Sequence, residues 1–530
     1  MMFSVKSRSG MILFLVSIVI AMLAVGSLSL LALLTTEYEA AIFRGDEIQA
    51  GQLVQSGMEF IGSTLGSSDS ASIFETELSD SFYFSQQISA EQSRFHRLYH
   101  NPVQFCGVEV VSGHLDRPVR GAGRFTIFSP RIEQDKLKGI RFGLVNESTR
   151  LHLGTVLEWE RELPGQGVRA LLKLPGMTPT MADSILDWID ADKTPRSSGA
   201  ELDYYERTGV AYRPRNAVPA TLEELLLVRD VTRSLLFGTD EKFFYGAKMN
   251  DLQRFQAEID SQNDLLFQPR EEAETINSSI DSAEFSATDN SFFDDLIGTN
   301  VESGTVLPWC FLLTTLSAEK LVDPTGNVKI FLNDSNLEFL GEQLRGKLDE
   351  ESCQFILAWR RNNGLIDDPV DLLDAIIKEK ENDKELKSPF SLEHSVGEEK
   401  FLTLLDVAST NSEIIVSGRI NVNEAPRIVL ETVPELDRQT VLQIVNRRGV
   451  SGEKRQGKYR HIIWLLSEKI VDKEMMKKLS KRLTTGGDVY RAQIIGFFDG
   501  QGTVNRAEVV IDATVKPPRP IFTKDLTNSL

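Results

Sequence analysis

The chain has 530 residues, 41% apolar and 25% charged, with 77 acidic against 58 basic side chains and a net charge of −19. This is the composition of a folded protein of several domains, at roughly 150 residues each, and it excludes a wholly disordered chain. An acidic surface is repelled by phosphate backbones, so no nucleic-acid partner is expected.

The first segment with a clear reading is Met11 to Leu34, MILFLVSIVIAMLAVGSLSLLALL, which carries no charge. It is longer than the roughly 20 residues that cross a bilayer as a helix, and longer than the apolar core of a cleaved signal, about 7–15 residues. Lys6 and Arg8 precede it, and Glu37, Glu39, Asp46 and Glu47 follow it. That asymmetry predicts a cytoplasmic N-terminus and an extracytoplasmic bulk. Glu39-Ala40-Ala41 is a weak candidate for a signal-type cleavage site. The leader 1–10 is short and basic and ends in Gly10 directly before Met11, the form that prepilin peptidases cut while leaving the apolar helix in place. Ile48, Val54, Met58, Ile61 and Leu65 continue an apolar stripe, so residues 35–65 are expected to prolong the helix beyond the membrane, although Gly45, Gly51 and Gly57 weaken that pattern.

Residues 66–145 alternate Gly- and Pro-broken extended stretches, among them Arg124 to Phe128, and read as a β region, with a short helix near Ala90 to Tyr99. Residues 146–240 read as helical. Residues 241–325, acidic and rich in Ser, Asp, Glu and Asn, read as a flexible insertion, and 379–400 as a charged linker. Residues 485–516 form a hairpin signature, two alternating runs around Asp499-Gly500-Gln501-Gly502, and 517–530, with three prolines, read as a tail.

The helical regions 146–240, 326–378 and 401–484 contain a threefold repeat. Each copy has a strand-like lead ending in Asn (Asn146; Asn333; Asn421 and Asn423), a leucine-rich helix, a turn, a second helix, and a short apolar helix. Asp183 to Asp190, Cys353 to Arg361 and Thr440 to Arg448 carry the likeness, two of them ending in I-x-x-x-R. Stacked helix pairs of this kind usually form an interaction module.

The first copy, LPGMTPTMADSILDWIDAD followed by GAELDYY and YRPRNAVPATLEELLLV, resembles the large minor pseudopilin of type II secretion systems, the general secretion pathway protein K family; so do INVNEAP and the closing hairpin. The resemblance implies an α+β fold: a pilin-like long N-terminal helix on a small antiparallel sheet, with a large inserted helical domain of helix-hairpin-helix, SAM-like repeats. It implies a non-catalytic subunit of the inner membrane, at the tip of a periplasmic pseudopilus, with other minor pseudopilins and a prepilin peptidase as partners. Pilin-like subunits mostly carry Glu at the fifth mature position; here that residue is Leu15. The competing reading is a DNA-binding helix-hairpin-helix subunit of a DNA-uptake or type IV-like pilus.

Asp187, Asp190, Asp192, Glu201 and Asp203 place five carboxylates within one helix end and one loop. Ca²⁺ takes six to eight hard oxygens, which such a loop supplies, though not at EF-hand spacing. A solvated acidic loop is the blander reading; the resemblance, to pseudopilins that bind calcium, favours Ca²⁺ on Asp190, Asp192, Glu201 and Asp203. In the turn Leu174 to Met177 only Gly176 supplies the glycine a phosphate-binding hairpin needs, and the corresponding Pro434-Glu435 carries an acid. Arg447, Arg448, Lys454, Arg455, Lys458 and Arg460 form a local basic cluster, the one feature that favours nucleic acid, against the blander reading of a solvated charged face. His96 and His100 stand at i, i+4, but Arg97 replaces the glutamate a zinc hydrolase needs, and no G-x-S-x-G or P-loop occurs. Cys106, Cys310 and Cys353 form no CxxC pair, none follows the apolar run where a lipid anchor would attach, and outside the cytoplasm they allow one disulfide of open pairing.

Overall fold

A computed structural model describes residues 9–66, 105, 107–110, 122–133, 135–209, 212–238, 307–378, 385–448, 457–498 and 504–527. One helix, α1 (Ser9–Gly66), runs unbroken through the apolar segment and its continuation. Its hydroxyls are satisfied within the helix: Ser17 donates to Leu13 O at 2.9 Å and Thr35 to Leu31 O at 2.6 Å. From Leu13 to Leu34 its large apolar side chains are exposed, and the stretch is long and apolar enough to cross a membrane. Its second half is amphipathic. Ala50, Leu53, Val54, Ile61 and Leu65 are buried, while Ile48, expected on the same face, stays exposed.

That buried face lies on a sheet of seven strands: β1 (Val108–Glu109), β2 (Gly123–Glu133), β3 (Lys136–Phe142), β4 (Val145–Asn146), β5 (Val489–Phe498), β6 (Asn505–Asp512) and β7 (Arg519–Asp525). The order is β1-β2-β5-β6-β7, with β3 beside β2 and β4 beside β5, and every pairing is antiparallel. Register places Ile494 opposite Ile127 and Ala492 opposite Val509, so one face carries the apolar residues that meet α1. Gly57 and Gly496 permit the close approach. A Cβ at Gly57 would lie 2.7 Å from Ile494 Cγ2, and one at Gly496 would lie 2.4 Å from the Ala50 carbonyl oxygen.

The chain leaves this sheet after β4 and returns at β5. The two ends are tied together: Tyr490 pairs with Asn146, and Asn146 Nδ2 donates to Gly487 O at 2.9 Å. Beneath them the carboxylate of Glu147, wholly buried, meets Arg150 at 3.1 Å and Arg491 at 2.7 Å, and Arg491 also meets Glu508 at 2.9 Å.

The described residues between form one large helical core built from three similar units. The first holds α2 (Leu153–Glu162), α3 (Gln166–Leu171), α4 (Pro179–Ile189), α5 (Leu202–Arg207), a 3₁₀ turn at Leu222–Leu227 and α6 (Arg233–Phe237). The second holds α7 (Leu337–Arg345), α8 (Glu350–Asn362) and α9 (Ser395–Val407). The third holds α10 (Arg427–Thr432), α11 (Arg438–Arg447), α12 (Trp464–Ser467) and α13 (Lys473–Leu479). Each unit is closed by a two-residue parallel pairing between its lead and its exit: Leu151–His152 with Leu313–Thr314, Ile330–Phe331 with Ala408–Ser409, Ile420–Asn421 with Leu483–Thr484.

The repeated Asn and Arg residues are the ties of these units. Asn333 exchanges hydrogen bonds with the backbone of Ile366 at 2.8 and 2.9 Å. Asn423 donates to Tyr459 O and accepts from Trp464 Nε1. The arginines ending the second helices, Arg360 and Arg448, reach back to the leads: Arg360 donates to Leu332 O and Asp334 O, Arg448 to Val422 O and Ala425 O. Satisfying lead carbonyls that no ladder reaches is the physical reason for the I-x-x-x-R pattern.

Several expected boundaries differ. Residues 307–325 belong to the core and not to an acidic insertion; Trp309 is fully buried there and donates to Pro175 O at 2.8 Å. The linker at 379–400 holds a strand, Glu385–Lys387, the buried Phe390 and the start of α9. The tail at 517–530 contains β7, which completes the sheet. Cys310 and Cys353 are buried free thiols, so the expected disulfide is not formed between them. The leader up to Arg8, residues 67–104 with His96 and His100, Cys106, His114, residues 241–306, and Lys454 and Arg455 lie outside the described residues.

Candidate cation site

The acidic loop follows α4. Thr178 caps the start of that helix by accepting from Met181 N at 3.2 Å, with Pro179 in its first turn. Ile185, Leu186, Trp188 and Ile189 anchor it in the core. Its acidic residues Asp183, Asp187 and Asp190 fall three and four residues apart on one face, and all are buried. Asp190 ends the helix, where the backbone carbonyls repel a carboxylate. The chain then loops back to Glu201, which begins α5.

One ligand oxygen each of Asp190, Asp192 and Glu201 lie within 4.8 Å of one another. Asp190 and Glu201 are buried, and Asp192 is exposed. Asp190 Oδ1 and Glu201 Oε1 have no hydrogen-bond partner despite their burial. Two orphaned carboxylate oxygens side by side cost free energy unless something positive stands between them. Burial and the neighbouring Asp187, Asp190 and Asp192 push the Glu201 carboxyl up to about 7.

Asp187 has a different task. Its oxygens accept from Arg196 Nη1 at 2.7 Å and from Arg196 N at 3.2 Å. The same Nη1 reaches Asp190 Oδ2 at 2.5 Å. Asp187 also lies flush against Gly199, where a Cβ would stand 1.9 Å from Oδ2. Burial raises the Asp187 carboxyl even so, against the pull of Arg196. Asp183 accepts from Ser198 N at 3.0 Å, and Asn216 donates to Asp192 O at 3.0 Å, so the loop is stitched at both ends.

Of the four expected ligands, three converge and Asp203 does not; it is exposed in the first turn of α5 and outside the group. Arg196, Gly199 and Asn216 were not singled out in the sequence. A lone arginine inside an acidic loop, beside a Ser-Ser-Gly turn, was the signal available for the first two. An all-carboxylate set with two unpartnered buried oxygens fits a hard cation such as Ca²⁺; water and backbone oxygens would complete its shell.

Three comparisons bear on the chain. Residues 153–237 match the family model described as type II secretion system protein K, a span that includes the whole acidic loop. A chain of the GspK–GspI–GspJ complex of the type 2 secretion system from enterotoxigenic Escherichia coli aligns over 93% of this chain and 97% of that chain, at 9% identity and a TM-score of 0.34. No curated protein matches.

Proposed function

We infer that this chain, bearing a type II secretion system protein K domain at residues 153–237, works as a pseudopilin in protein secretion. The observation that carries this reading is the joint presence of that domain and of α1, a helix apolar and exposed at its start and packed on a sheet at its end. The finer proposal is a non-catalytic minor subunit, anchored in the inner membrane with its N-terminus in the cytoplasm. It sits at the pseudopilus tip with other minor pseudopilins as partners. The inserted core is large, with one apolar core running through all three units. Its turns after α3, α7 and α10 are taken as helix-hairpin-helix elements serving packing. The loop at Asp190, Asp192 and Glu201 is proposed to hold Ca²⁺.

Co-expression of the full chain with the smaller minor pseudopilins of its own system, in detergent, tests the reading. A stable complex on size exclusion is expected, and loss of exported protein from the medium on deletion of the chain. Normal secretion after deletion would overturn it. The DNA-uptake alternative is weaker because the turn of the third unit presents the acid Glu435 and no glycine where a phosphate would approach, even though Arg482 pairs with that acid at 2.7 Å. A strong, salt-sensitive gel shift of the full chain would favour it instead.

A further inference from the structure

Resting on the calcium reading above, we propose that Arg196 is the resident counter-cation of the acidic loop. It holds the carboxylates in cation-ready positions when no metal is bound, and a divalent cation then shares that task without displacing it.

The first support is geometric. A single guanidinium nitrogen bridges Asp187 Oδ1 and Asp190 Oδ2, at 2.7 and 2.5 Å. It uses only the Oδ2 side of Asp190. The Oδ1 side remains unpartnered in a residue only 5% exposed, as does Oε1 of Glu201 in a residue 4% exposed. Both belong to the group that converges with Asp192. A metal ion taken up at the unpartnered Oδ1 would meet the oxygen that Arg196 leaves open. A carboxylate fixed on one side by a charged donor loses less freedom when the other side ligates a metal.

The second support comes from the threefold repeat. In the second and third units the second helix carries Ile356-x-x-x-Arg360 and Ile444-x-x-x-Arg448, and each arginine ties that helix to its unit's lead. In the first unit the same spacing from Ile185 falls on Ile189, buried in the core, and the next residue is the acid Asp190. The first unit thus lacks the arginine tie of its siblings and has gained buried acids at the same helix end. Arg196, contributed by the loop, is the cation that closes this unit. The guanidinium pairs with Asp187 and Asp190, while Asp192 and Glu201 complete a group of carboxylates that this single cation does not balance, which leaves room for a divalent ion.

The test is the melting temperature of the full-length protein in detergent, with calcium and with chelator, for wild type, Arg196→Gln and Arg196→Lys. Arg196→Gln is expected to melt on the order of 5–10 °C lower than wild type in chelator, with calcium recovering more than half of that loss. Its calcium-induced shift is then larger than the wild-type shift. Arg196→Lys keeps the charge on a side chain one atom shorter, without the planar guanidinium, and falls between; it carries the test where Arg196→Gln does not fold in chelator. A merely structural arginine would lower both melting temperatures in parallel, and that result would overturn the proposal. No calcium shift in any of the three chains would overturn the calcium reading and the proposal with it, whereas equal shifts in all three would overturn the proposal alone.

Discussion

Glu147 has no exposed surface, and its carboxylate is held between Arg150 and Arg491 with Thr314 donating to it. Burial alone would raise its pKa. The two guanidiniums outweigh burial and hold it at about 2, against an ordinary value of 4.5. A carboxyl depressed on folding adds stability that is complete above the unfolded value and is lost as pH falls through the folded one. The protein is therefore expected to lose on the order of 3 kcal/mol between about pH 4.5 and pH 2 from this residue alone. Glu147→Gln should abolish that part of the acid transition. At neutral pH it should cost about 3–5 kcal/mol, because two buried guanidiniums lose their shared partner. Thermal melts from pH 7 to pH 2 measure both effects; an unchanged acid limb in the variant would refute the assignment. Gly199 makes a second residue-scale case. Its Cα hydrogen faces the pinned carboxylate of Asp187, so Gly199→Ala is expected to force Asp187 off Arg196 at a cost of about 1–3 kcal/mol, read as a lower melting temperature both with calcium and with chelator. A melt identical to wild type in both conditions would count against this.

At the scale of elements, β7 is the clearest case of structure that sequence pattern did not announce. Its residues are mostly exposed, and Pro517, Pro518 and Pro520 argue against a ladder. It is an edge strand, so a proline is tolerated, at the point where the register shifts beside Val510 and Ile511. It covers the edge of β6 and sends Lys524 to Glu223 of the helical core at 2.8 Å. Ending the chain after Pro518 is expected to cost on the order of 3–6 kcal/mol and to promote aggregation through the bared edge of β6. Light scattering during a melt reads both, and an undiminished melting temperature would show β7 to be dispensable. The elements that were legible share a cause. The α1 run, the β5–β6 hairpin and the repeated helix pairs each bury one face, so their apolar spacing carries the signal. Residues 385–400 were misread because their charge and Ser content describes their exposed atoms, and the mostly apolar 307–325 because they were grouped with the acidic stretch before them. Trp309 and Phe390, single buried anchors, decide where they lie. In the acidic loop, carboxylate density pointed to the segment in which Asp190, Asp192 and Glu201 converge. The division of labour between Asp187, tied to Arg196, and Asp190 with Glu201, left open, depends on a fold-back that linear spacing does not encode.

For the whole molecule, the decisive asymmetry runs along α1. Its first half presents Leu13, Phe14, Leu15 and the apolar residues after them to the surroundings, and its second half is locked to the sheet by Leu53, Val54 and Ile61. A cut between Gly10 and Met11 would leave this helix intact and make Leu15 the fifth residue; N-terminal sequencing of membrane-extracted protein is expected to begin at Met11, and an intact leader or a start near Ala40 would refute it. A glutamate at the fifth position would cost several kcal/mol in the bilayer unless paired with a neighbour's N-terminal amine. Leu15 carries no such cost and makes no such pair. On the pseudopilin reading proposed above, a subunit that makes no such pair belongs where that contact is not needed, at an end of the filament. A photocrosslinker placed at position 15 is therefore expected to trap at most one neighbouring subunit per chain, and never a second copy of this chain. Ladders of self-crosslinked product, rising with the amount of the major subunit, would place the protein along the filament shaft and rule out the tip.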